Sequence, residues 1–227
     1  MQHDIIRQSE PRGLPLHFKL LPEWLNGLGY SSYMVGKWHL GFYKSEFTPT
    51  RRGFSTHVGS WGGFVDYYIH DQRAPMFLYV AHLAPHAATE RELLQVPKIY
   101  LRGYDDIGHV NRTLYAGIVS ALDKSVGDVF KALYEEGMLE DSVLMFTSDN
   151  GAASTYHGLD AASSWPLKGE KGALWEGGVR VPGFVWAFQN LWRGPGSIYE
   201  RFFHVTDWLP TLYEMAVKCL GTNCAKR

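Results

Sequence analysis

Hydrophobic and polar positions fall along this chain in blocks that separate short apolar runs from one long amphipathic stretch. Tyr33-Met34-Val35 enters a Gly-bounded turn and predicts a buried strand, with a short helix from Leu20 closed by Gly29 before it. Residues 44–74, rich in glycine, aromatics and turn formers, read as irregular loop. Met76-Phe77-Leu78-Tyr79-Val80-Ala81 is continuously apolar, the pattern of a strand covered on both faces, and it runs out at His82, Pro85 and His86. From Asn111 to Glu136 apolar side chains recur at helical spacing, from Tyr115, Ile118, Val119 and Leu122 to Phe130 and Leu133, until Gly137 stops the helix. Val143 to Thr147 predicts another buried strand, running into Ser148-Asp149-Asn150-Gly151. A polar loop then reaches Trp165-Pro166, Gly183 to Trp186 predicts a further strand, and Thr206 caps a helix through Val217. Apolar strands alternating with helices predict an α/β fold, a mainly parallel sheet flanked by helices with its active edge at the strand C-termini.

Composition narrows the class without choosing a function. With 227 residues, 45% hydrophobic and 20% charged, the chain can bury a substantial core and is unlike a disordered segment. A formal net charge of -1 gives no reason to expect nucleic acid as a partner. Eight Trp and thirteen Tyr favour a large core, or a cleft for sugars or aryl groups. Cys219 and Cys224 are too few for a disulfide framework and are not spaced as zinc ligands. No signal peptide and no transmembrane-length segment are visible, and Asn111-Arg112-Thr113 is a glycosylation sequon that matters only on the secretory route.

Candidate chemistry gathers at the predicted strand ends. In Gly36-Lys37-Trp38-His39-Leu40-Gly41, a strand continuing through Lys37 and His39 would aim both at one face. An ammonium and an imidazole there suit an anionic substrate whose leaving group needs a proton, although a solvated strand end with a hydrogen-bonded histidine has the same pattern. Asp149 and Asn150 offer hard oxygen ligands suited to Ca²⁺ or Mg²⁺, and Asp-Asn-Gly is equally ordinary turn chemistry. His86, with His82 as competitor, and Lys171 in its glycine-containing basic loop stand open between catalytic and structural roles. Glu176 and Arg180 are spaced to form a structural pair.

Taken together these segments resemble one family. Gly36 to Gly41, Thr50-Arg51-Arg52-Gly53-Phe54, Phe77-Leu78-Tyr79, Ser148 to Gly151, Trp165-Pro166-Leu167, Leu174 to Arg180 and Asp207 to Leu212 are similar, in order, to the sulfatases of the arylsulfatase B-like branch, within the alkaline-phosphatase-like superfamily. The resemblance covers most of residues 14–215. It implies a hydrolase of sulfuric esters, often on sulfated sugars, with one Ca²⁺ and a lysosomal or extracellular setting. It implies Asp149 and Asn150 as two calcium ligands and Lys37 and Lys171 as sulfate-binding lysines. His39 corresponds to the histidine that assists the nucleophile, and His86 to one near the leaving group.

The pattern also departs from the family. The formylglycine nucleophile arises in a Cys/Ser-x-Pro-x-Arg motif, and none occurs here; Ser9-Glu10-Pro11-Arg12 is one residue short and its flanks resemble a downstream segment. The family's first strand, with the paired aspartates that complete its calcium site, is absent and is expected to precede Met1. A further break lies near 71–75, where Asp66-Tyr67-Tyr68 and Pro75 to Tyr79 resemble family segments that are far apart. The expected organisation is an incomplete sulfatase N-terminal (catalytic) domain over 1–217 and a tail over 218–227. A cation held by Asp149 and Asn150 alone keeps mostly water, and without a nucleophile sulfate is bound but has no covalent route to cleavage. The expected function is therefore that of a sulfatase fragment. Alternatives are a non-catalytic protein binding a sulfated small molecule or glycan, or a phosphoester hydrolase of the same superfamily.

Overall fold

The structure, a computed structural model, describes residue 6 and residues 10–59, 61, 75–88, 92–155, 160–187 and 196–221, the last three of these by backbone alone. Ser9, Cys224, Asp66-Tyr67-Tyr68, most of the expected break near 71–75 and part of the loop before Trp165 lie outside the described residues. The chain divides into two compact units, Met1–Leu83 with Glu200–Arg227, and Ala84–Tyr199.

In the first unit, α1 (Leu21–Asn26) starts at Pro22 and at Glu23, whose carboxylate accepts the Leu20 N–H at 2.7 Å. Gly29, at φ 85, turns the chain into β1 (Ser31–Gly36). β2 (Thr56–Val58) and β3 (Met76–Ala81) flank β1, both parallel to it, in the order β2-β1-β3. β1 is buried from Ser32 to Met34, as a central strand should be. Met34, Trp38 and Phe54 form the core, with Leu20, Leu40, Phe77 and Ala81 against it.

Arg52 is 2% exposed, and its guanidinium donates to the Phe18 carbonyl at 2.6 Å and the Leu14 carbonyl at 3.2 Å, with Glu23 Oε2 at 3.7 Å. The last helix, α4 (Trp208–Gly221), meets α1 through an edge-on Trp24–Tyr213 contact, and the Tyr30 hydroxyl donates to the Ala216 carbonyl.

In the second unit, α2 (Val110–Glu135) opens with the Arg112 N–H donating to His109 Nδ1 and is terminated past its end by Gly137, at φ 66. Ile118 packs with Leu94 and Ala161, and Gly117 lies so near the 98–101 turn that a Cβ would come within 2.8 Å of Leu101. β4 (Val143–Thr147) pairs with β5 (Gly183–Ala187), with stacked Phe146 and Phe184 side chains, and Phe130 of α2 meets Trp186 edge-on.

Several expectations change. The 44–74 stretch contains β2 and two 3₁₀ turns, Ser45–Phe47 and Pro49–Arg51, because three strand residues are too few to raise a periodic signal. β5 pairs antiparallel with β4, so the parallel arrangement belongs to the first unit's sheet. β3 is half-buried rather than covered on both faces, with Tyr79 49% exposed, because apolarity permits burial but only a packed layer supplies it. On α2, Val119 and Phe130 are likewise partly exposed. At the last helix, the capping residue is His204 rather than Thr206: the Asp207 carboxylate accepts the His204 N–H at 2.7 Å, and a 3₁₀ turn, Val205–Asp207, leads into α4.

Candidate functional site

The C-terminal ends of the first unit's three strands meet at one edge of the sheet. There β1 stops at Gly36, whose φ of 112 and closeness to Ala81 exclude any side chain: a Cβ would come within 2.2 Å of the Ala81 carbonyl oxygen. Gly59, following β2, is pressed on Gly36 in the same way, at 2.1 Å from its carbonyl oxygen. Lys37 comes next, half-buried, its N–H donating to the Ala81 carbonyl at 3.3 Å. Its ammonium has no polar partner among the described residues.

The chain then wraps around Trp38. This side chain is 5% exposed, and its Nε1–H is shared between the carbonyls of Gly41 at 2.9 Å and Phe47 at 3.0 Å. His39 takes a left-handed φ of 54, and its Nε2 lies 2.9 Å from the Ile6 carbonyl oxygen. The expected continuing strand, with Lys37 and His39 on one face by alternation, is therefore not formed. Gly36 ends the strand, and a turn anchored by Trp38 sets the two side chains instead.

His57 went unnoticed in the sequence. It lies on β2 with Nε2 3.1 Å from the Gly36 carbonyl oxygen, and since a carbonyl only accepts, Nε2 carries the proton. Burial pushes the His57 pKa below its ordinary value, against a smaller opposing effect of the Gly36 bond. His82, just past β3, is also held low by burial. The available signal was the pattern Thr56-His57-Val58, a β-branched pair flanking an imidazole in a segment otherwise read as loop.

In the second unit the chain leaves β4 through Ser148-Asp149-Asn150-Gly151. The Ser148 hydroxyl donates to the Asn150 carbonyl at 3.0 Å and Asn150 Nδ2 donates to the Gly151 carbonyl at 3.0 Å, a self-bonded turn that leaves the Asp149 carboxylate exposed. The segment around Lys171 is laced to it: Lys171 N–H donates to the Ala152 carbonyl at 2.7 Å, and Gly151 N–H to the Gly178 carbonyl at 2.9 Å. Glu170 fastens the next turn, accepting from the Ser154 hydroxyl at 2.9 Å and the Thr155 N–H at 2.8 Å, and bonds from Thr155 and Ser154 hold its pKa below the usual value. Lys168 is turned away over the Trp175 ring at 3.7 Å, while the exposed Lys171 ammonium has no polar partner among the described residues. The backbone of the Lys171 segment is thus held against the chain that follows Asp149 and Asn150. His86, exposed, has its Nδ1 against the carbonyl of its neighbour Ala87 at 2.7 Å. Glu176 and Arg180 pair at 3.3 Å across the short helix α3 (Glu176–Val179), as their spacing implied.

Asp149 and Asn150 match calcium in oxygen type but not in number. Among the described residues no cluster of three or more His, Cys, Asp or Glu side chains is placed to hold a metal.

The family model for sulfatases matches two overlapping segments, residues 1–75 and 64–218. The chain belongs to the sulfatase family. Arylsulfatase J of Mus musculus is 37% identical over 260 residues, which span 95% of this chain and 42% of the relative. N-acetylgalactosamine-6-sulfatase of Homo sapiens is 29% identical over 255 residues, spanning 90% of this chain and 46% of that protein. This sulfatase chain thus spans less than half the length of these curated relatives. The crystal structure of Ps i-CgsB in complex with k-i-k-neocarrahexaose superposes with a TM-score of 0.79 at 24% identity, covering 95% of this chain and 57% of that one. The PsFucS1 sulfatase from Pseudoalteromonas sp. gives a TM-score of 0.67 at 19% identity, over 86% of this chain and 50% of that one. At those identities the likeness is one of fold: the parallel sheet with flanking helices is a sulfatase α/β arrangement. No helix among the described residues is long and apolar enough to cross a membrane.

Proposed function

We infer that this chain supplies the substrate-holding part of a sulfuric ester hydrolase acting on sulfated saccharides. The carrying observation is the backbone lacing of the Lys171 segment to the turn that bears Asp149 and Asn150, just past the C-terminal end of β4. Sulfatase membership supports the reaction class, and the carrahexaose in the Ps i-CgsB structure supports a saccharide carrier.

By family resemblance the sulfate-binding lysines are Lys37 of the first unit and Lys171 of the second, each an ammonium able to offset charge on sulfuryl oxygens. By the same resemblance His39 of the first unit and His86 of the second are the proton-moving groups. The nucleophile comes from outside these 227 residues, since no Cys/Ser-x-Pro-x-Arg motif occurs among them. Calcium and a lysosomal or extracellular setting belong to the proposal through family resemblance alone.

Assays of aryl sulfate and aryl phosphate esters on the purified chain, alongside a longer product of the same gene, test this. Sulfatase turnover confined to the longer product is expected. Turnover by the 227-residue chain alone overturns the assignment of the nucleophile. Preference for the phosphate ester overturns the substrate class.

Lys37 and Lys171, whose ammonium groups have no polar partner among the described residues, also favour a second reading, retention of sulfated glycans without turnover. Binding to a heparin column that disappears in a Lys37→Ala, Lys171→Ala double variant supports it, and unchanged retention sinks it.

A further inference from the structure

The second unit carries a half-open pocket of about 410 Å³ that the catalytic reading does not use, with the exposed Arg112 and Ser163 among its lining residues. One wall is the start of α2, with Arg112, Tyr115 and Ala116; the other is the loop residues Ala161, Ala162 and Ser163. Ala161 is 7% exposed and packs with Leu94 and Ile118, so this wall is anchored in the core of the unit. The volume lies within the span of small-molecule sites, about 300–1,000 Å³.

The polar groups on these walls are of one kind. Among the described residues neither the Arg112 guanidinium nor the Tyr115 hydroxyl has a side-chain partner. Burial raises the Tyr115 pKa, which keeps the phenol protonated and able to donate. Ser163 Oγ accepts the Trp165 N–H at 3.2 Å, which leaves its own proton free to donate. The nearby carboxylates of Asp105, Asp106 and Asp160 do not line the cavity. A guanidinium fork and two hydroxyl donors between alanine methyls and a tyrosine ring suit a planar or tetrahedral oxyanion carried on a small ring.

We propose that this pocket binds the sulfate or carboxylate group of a saccharide, the saccharide resting on the function proposed above, as a binding site separate in its residues from the lysines and histidines assigned to ester hydrolysis. The guanidinium takes the anion, the phenol and serine hydroxyls take its remaining oxygens or ring hydroxyls, and the alanine wall admits the ring.

Isothermal titration of the full chain with galactose 6-sulfate, glucuronate, galactose and inorganic sulfate tests the assignment. Galactose 6-sulfate or glucuronate is expected to bind in the micromolar to millimolar range, and galactose about tenfold more weakly. Arg112→Gln is expected to weaken the anionic saccharides by about tenfold or more, and Tyr115→Phe by less. The Lys37→Ala, Lys171→Ala variant is expected to bind glucuronate, which carries no sulfate ester, unchanged, and this separates the site from the one proposed for hydrolysis. Should Arg112→Gln reduce the folded fraction, Ala116→Leu fills the cavity with the guanidinium intact and is expected to abolish the same binding. Full affinity for glucuronate in Arg112→Gln or Ala116→Leu, loss of glucuronate binding in the double-lysine variant, no heat at millimolar glucuronate, or inorganic sulfate binding as tightly as galactose 6-sulfate would each overturn the proposal.

Discussion

Gly151 and Gly177 touch so closely that a Cβ on Gly151 would lie 1.9 Å from the Gly177 carbonyl oxygen. The contact sets the Asp149–Asn150 turn against the segment that carries Lys171, with the Gly151–Gly178 hydrogen bond beside it. Gly151→Ala forces backbone against backbone, so the two segments must part. The expected cost is about 1–3 kcal/mol, the range of overpacking. Urea denaturation followed by far-UV circular dichroism measures it, and a midpoint equal to the parent's would contradict the arrangement.

Trp38 holds the Lys37–His39 turn through one N–H shared by two carbonyls. Trp38→Phe keeps the ring against Phe54 but leaves the Gly41 and Phe47 carbonyls without that donor. A loss of about 1–2 kcal/mol is expected. Chemical denaturation gives the number, and a neutral substitution would show that the shared bond contributes nothing.

His57 and His82 make stability depend on pH in a definite direction. Both have folded-state pKa values below the ordinary 6.5, because burial penalises the charged ring. The unfolded chain therefore binds more protons in this window. Their contribution is fully present above the unfolded value of about 6.5 and is lost as pH falls through the lower folded-state values. Melting temperature should fall on acidification from neutral pH into that window, and His57→Gln, which still donates to the Gly36 carbonyl, should flatten the slope. An identical slope in the variant would remove His57 from the account.

Calcium should bind this chain weakly. Asp149 supplies one carboxylate and Asn150 one amide oxygen, so most of the coordination sphere stays water, and a dissociation constant of about 10⁻⁴–10⁻³ M is expected. Calorimetric titration with Ca²⁺, repeated on Asp149→Ala, measures this. Submicromolar affinity would mean that other ligands complete the shell.

The α2 helix and the β4 strand were legible because they are long or uniformly apolar: the structure starts α2 one residue before Asn111 and bounds β4 at the expected Val143 and Thr147. Strand direction was not legible. Gly183 to Trp186 is apolar whichever way it runs, and only pairing with β4 reveals it as antiparallel. In the candidate site, the chemistry of Asp149, Asn150 and Lys171 could be read from residue types, but the meeting of their backbone segments depends on glycine contacts between stretches about twenty residues apart, which no local pattern carries. Lys37 and His39 were misplaced for the opposite reason. Strand parity was extended through Gly36, and a single positive φ cancels it.

Arg52 makes the first unit depend on contacts that span a long stretch of chain. Its two carbonyl partners, Leu14 and Phe18, lie 38 and 34 residues earlier in the chain, in a segment outside any helix or strand ladder. Together with the Leu14 N–H, which donates to the Leu40 carbonyl at 2.9 Å, these bonds close long loops of chain, and each closure costs entropy that grows only slowly with loop length. A fluorophore at exposed His17 would therefore report whether those distant closures are made.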